Sequence, residues 1–140
     1  MSENNIRTGK VSSINYEEGT IRVVYTDKNN AVTTELPVLN FNGEYKMPQI
    51  DDMVLVTHLS NGSSLGIVCG SFWSSGNKPV ETGEGLYRKE LGAIPGEAYI
   101  KYDSKTKTVI IKAENIIFES ASVKATEITV ETLNASTINS

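Results

Sequence analysis

Residues 118–140 read FESASVKATEITVETLNASTINS, and the spacing inside this stretch decides the fold. Taking every fifth residue puts Val123, Ile128, Leu133 and Ile138 in one column. A second column two residues on holds Ala125, Val130, Ala135 and Ser140, and Phe118 and Ser120 carry both columns back by one unit. Lys124, Thr129, Asn134 and Asn139 fall between the columns. Each unit therefore reads in, out, in, followed by two turn-forming residues, which is the pattern of a short solenoid rung.

A single chain winding pentads into a four-sided solenoid needs about four of them per coil and several stacked coils, and this stretch supplies barely one. Fixing a pentad costs roughly 5 to 10 kcal/mol, whereas burying a Val with an Ala returns about 2 to 4. Three copies wound about one axis add about five hydrogen bonds per pentad at ~1 kcal/mol each, and the two sides then balance. The pentads thus predict an intertwined homotrimeric β-prism, with Phe118, Val123, Ala125, Ile128, Val130, Leu133, Ala135 and Ile138 as its core.

Working back from the tail, Ala98 to Tyr102 and Thr108 to Ile111 alternate as a hairpin turned at Asp103 to Thr106. Residues 74–96 contain Gly76, Gly83, Gly85, Gly92 and Gly96 with Pro79 and Pro95, which reads as linker. Before that, helical periodicity is hard to find and alternation is easy. Strands are predicted over 6–15, 20–26 (with Ile21, Val23 and Tyr25 on one face), 31–39, 53–59 and 65–72. Ser60-Asn61-Gly62-Ser63 would close the last hairpin, and 40–52 forms a long loop. Five strands in about seventy residues fit a Greek-key barrel of the OB type, with Gly66 and Gly70 allowing a bend or a close backbone approach. The predicted fold is all-β: an OB-fold barrel over 1–73, a linker over 74–96, and a hairpin with an intertwined triple-stranded β-helix over 97–140.

Composition narrows the function. Thirteen Lys plus Arg against 17 Asp plus Glu leave a net charge of −4, which disfavours general binding to a phosphate backbone. Cys69 and His58 are each the only residue of their kind, so an intrachain disulfide, a zinc finger and a His pair for metal are all excluded. Met1 to Asn5 lack the basic and apolar regions of a signal peptide, giving an expectation of cytoplasmic synthesis.

Gly9-Lys10-Val11, Leu36-Pro37-Val38-Leu39, the run PQIDDMVLV at 48–56 and GIVCGSF at 66–72, followed by the pentad tail, resemble the central spike of contractile phage tails. The family is the baseplate assembly protein V type, related to the valine-glycine repeat spikes of type VI secretion. The resemblance implies a non-enzymatic, cofactor-free trimeric needle, assembled in the host cytoplasm into a virion or tailocin baseplate. Its barrels would meet a hub protein, and its prism would be driven into the target envelope. The chain departs from the family in two places. Where members often carry Gly ahead of the Asp preceding the fourth strand, this chain has Asp51, and no histidine follows His58 to build a His-x-His iron tip. A separate cap, such as a PAAR-like tip protein docking at Ile138 and Ser140, is expected instead. The lysozyme domain of some larger spikes is not expected in these 140 residues.

The other chemistry-bearing residues read as structural. His58 lies in an alternating strand and Cys69 in an apolar run, while Trp73 anchors the linker or an interface. Asp51-Asp52 and Glu17-Glu18 sit at turns, where solvated acids are ordinary, and Lys101, Lys105, Lys107 and Lys112 protect a hairpin edge. The 40–52 loop, with Phe41 and Tyr45, is the expected hub contact. The alternative is an OB-fold protein binding single-stranded nucleic acid by stacking bases on Tyr16, Tyr25 and Tyr45.

Overall fold

The computed structural model describes residues 5–59, 65–119 and 121–139. It is all-β, with two antiparallel sheets and one short 3-10 turn at Thr26–Lys28. No helix among the described residues is long and apolar enough to cross a membrane.

The first sheet contains β1 (Ile6–Asn15), β2 (Thr20–Tyr25), β3 (Ala31–Val32), β4 (Leu36–Pro37), β5 (Met53–His58) and β6 (Gly66–Ser71). β1 is central, pairing with β2 through its second half and with β5 through its first, and β5 pairs onward with β6. The strand expected over 31–39 is broken. β3 and β4 both pair with β2, but between them Thr33 turns its hydroxyl inward to accept from the Val23 amide at 3.0 Å. Past Pro37 the chain crosses to β6: Val38 forms a parallel bridge with Val68, and the Leu39 amide donates to the Val68 carbonyl at 2.9 Å. That contact joins the two edges of the sheet. The closing turn expected at Ser60 to Ser63 lies outside the described residues.

Alternation places Val11, Ile21, Val23, Tyr25, Leu36, Val54, Val56 and Val68 inside the curled sheet, and all are buried. Met47, from the long 40–52 loop, completes this core. Two glycines shape the enclosure. A Cβ on Gly9 would lie 2.5 Å from Val23 Cγ1 and 2.8 Å from the Val24 carbonyl, so β1 crosses β2 too closely for any side chain. Gly70, at φ 116°, sits where the β5–β6 register slips by one residue, a bulge that bends the strand. Asp51 also has a left-handed backbone, φ 70°.

The second sheet runs β7 (Leu86–Glu90), β8 (Tyr99–Asp103), β9 (Thr108–Lys112) in spatial order. β8 and β9 are the expected hairpin. β7 lies inside the stretch read as linker; its glycines and prolines flank the strand, and its own sequence, LYRKE, is too short and too charged to signal one. Among the described residues, no hydrophobic side chain beyond Val68 is buried.

Two substitutions test this packing by urea denaturation. Gly9→Ala forces Val23 aside and is expected to lower stability by about 1 to 3 kcal/mol. Asp51→Gly relieves a left-handed backbone and is expected to raise it by about 0.5 to 1 kcal/mol.

Candidate functional site

The tail follows β9 directly, and its described residues form no strand. The backbone turns at Thr126, Glu131 and Ser136, each one residue after Ala125, Val130 and Ala135, so the turns keep the five-residue period of the sequence. Phe118, Val123, Ala125, Ile128, Val130, Leu133, Ala135 and Ile138 are all exposed within the single chain, Ile128 by 64% and Ile138 by 72%. Ser120 and Ser140 lie outside the described residues. The bends thus share the period of the predicted core residues, each of which stands exposed in the single chain.

The long loop carries Phe41 and Tyr45, each 65% exposed. Phe41, Asn42 and Gly43 have φ of 39°, 61° and 98°, a run that turns the backbone outward and holds a bulky aromatic where it is seldom found. The Tyr45 hydroxyl donates to the Tyr16 carbonyl at 2.9 Å, which places two exposed aromatics at one end of the first sheet. Sequence reading missed how firmly this loop is held. Met47 enters the core, the Lys46 ammonium donates to the Glu90 carbonyl at 2.7 Å, and Glu44 pairs with Lys89 of β7. Phe41 and Tyr45 stay exposed on this anchored loop.

A second polar constellation covers one face of the second sheet. The Arg88 guanidinium lies 3.8 Å from the Tyr99 ring centroid and pairs with Glu90 at 2.6 Å and Glu81 at 2.9 Å, while Lys101 reaches Glu81 at 3.1 Å. Glu90 also accepts from the Gly96 amide at 2.5 Å, and Lys112 donates to the Gly96 carbonyl at 2.9 Å. Arg88, then Lys101, hold the Glu81 carboxyl below its ordinary range; Arg88, then the Gly96 amide, do the same for Glu90. Every member is spent on another, and the network pins the Gly- and Pro-rich segments around β7 to the sheet. Lys101 and Lys112 thus serve as staples as well as edge charges.

The remaining candidates are structural in their contacts. His58 is buried, with Nε2 2.6 Å from the Tyr25 hydroxyl and Nδ1 3.3 Å from the Leu65 carbonyl. That carbonyl only accepts, so Nδ1 carries the proton and Nε2 accepts from Tyr25, and both nitrogens are occupied. Burial pushes the Tyr25 phenol above its ordinary value, which keeps it a donor. Tyr25 is consequently unavailable to stack on a base. The Asp52 carboxylate accepts from the Gln49 amide at 2.9 Å, Asn15 caps Glu18, and Cys69 is half-buried beside Thr57. No group of three or more His, Cys, Asp or Glu side chains gathers among the described residues. No protein-family model matches the chain, and no curated protein matches it.

The carboxylate network has a pH signature. Because the folded-state values of Glu81 and Glu90 lie below the unfolded ones, their contribution is complete above the ordinary carboxylate range and is lost as pH falls through the depressed values. The melting temperature followed by circular dichroism is expected to drop on acidification, with a shallower drop in Glu90→Gln.

Proposed function

We propose that this chain is a structural central spike of a contractile-tail baseplate, in a phage, a tailocin or a related injection system. The carrying observation is the tail: its turns recur every five residues, and both of its inward columns stand exposed in the single chain. Columns of this kind acquire a dry interior when three copies wind about one axis, and each unpaired backbone then meets a neighbouring chain. Two observations on the first sheet support the same reading. The ring β1–β2–β3/β4–β6–β5, closed by a parallel contact between Val38 and Val68, supports reading the first sheet as an OB-type Greek-key barrel. Asp51 has the left-handed backbone suited to the glycine that spikes often carry there.

On this reading the 1–73 barrels form a collar on the hub protein, with Phe41 and the neighbouring Tyr45 at the contact. The tail forms an intertwined triple-stranded β-helix that transiently meets the target envelope, and a PAAR-like tip protein caps it at Ile138, the tail carrying no histidine for a metal site. The reading assigns no catalysis and no cofactor. Single-stranded nucleic-acid binding is the lesser reading, because Tyr25 is buried and the net charge is −4.

Light scattering after size exclusion tests it: the full chain is expected to be a trimer. Ile128→Asp would set three like charges on the axis, an uncompensated burial costing several kcal/mol each, and is expected to abolish assembly. Asn134→Asp, between the columns, is expected to leave the trimer intact. A monomeric wild-type chain, or equal damage from the two variants, overturns the assignment.

A further inference from the structure

The second sheet has two unlike faces. Register places Arg88, Lys101 and Ile110 in one row and Glu90, Tyr99 and Lys112 in the next, on the face covered by the charged network. The opposite face holds the rows Tyr87, Tyr102, Val109 and Lys89, Ile100, Ile111. Apart from Lys89, which is taken by Glu44 at the β7 side, this second face is apolar. Lys89 and Ile100 are half-buried, but the described residues leave the rest of it uncovered: Val109 is 58% exposed and Ile111 48%. Beyond β8, no described strand pairs with β9, so its outer edge is open as well.

We infer that the face formed by Tyr102, Val109 and Ile111 packs against further copies of this chain, so that the threefold core starts in the second sheet and not at Phe118. The inference rests on the trimeric reading of the tail and extends it to a surface on which the pentad pattern is silent. Two arguments select a second copy as the occupant. The tail leaves β9 without an intervening domain, and the six residues from Lys112 to Phe118 span at most roughly 20 Å, so copies gathered by the tail are held beside this face at high effective concentration. The loop holding Glu44 and Lys46 meets β7 at Lys89 and Glu90, and among the described residues Tyr102, Val109 and Ile111 stay exposed beyond it. The charged face, already satisfied by its own network, is left to water.

Cysteine accessibility in the full chain tests this. In a Cys69→Ser background, Val109→Cys and Ile111→Cys are compared with Ile110→Cys, which lies on the charged face of the same strand. In the native oligomer, maleimide labelling at 109 and 111 is expected to be at least tenfold slower than at 110, with the difference vanishing in denaturant. A second comparison uses Val109→Glu and Ile110→Glu: only the first is expected to raise the dissociation constant of the trimer, by at least tenfold. If wild type is a trimer but the three cysteines label equally, the inward face is wrong while the tail-based trimer stands. If wild type is a monomer, both readings fall together.

Discussion

Apolar surface without an interior is the constraint under which this molecule is built. The first sheet encloses its own side chains, but past Val68 the chain continues through three strands and an extended tail in which no described hydrophobic residue is buried. Ordering an extended backbone costs conformational entropy that a lone ribbon does not recover, since it buries little and pairs few of its amides. The second half therefore leaves apolar surface exposed in the single chain, and its bends recur every five residues.

The first sheet solves the opposite problem. Its edges would be open were it not for the crossing of the chain after Pro37, where the Leu39 amide reaches the Val68 carbonyl. Curling a sheet this small requires close crossings and sharp bends, met by the missing side chain at Gly9 and the bulge at Gly70. The long loop then joins the two halves: Met47 is buried in one, while Glu44 and Lys46 hold β7 of the other. Polar ties of this kind fix an orientation more than they add stability.

The second sheet separates its chemistry by face. Arg88 links Glu81, Glu90 and Tyr99 on one side, so that side is self-sufficient in charge and hydrogen bonds. The same alternation sends Tyr102, Val109 and Ile111 to the other. A strand pair with one satisfied face and one bare face is oriented in advance toward whatever covers it.

The all-β class, the strands of the first sheet and the β8–β9 hairpin were legible in the sequence because two-residue alternation is a local property of the chain, and so was the five-residue period of the tail. What lay beyond local pattern was decided by tertiary structure. β7 was hidden because five residues bearing Arg88, Lys89 and Glu90 hold no apolar alternation, and only pairing with β8 makes them a strand. The break between β3 and β4, the anchoring of the 40–52 loop and the burial of Tyr25 against His58 each depend on residues ten or more positions apart. Tyr25 is the clearest case: alternation marked its side of the strand, but whether an aromatic on that side meets solvent or a histidine depends on how the sheet closes, and closure is a property of the whole ring.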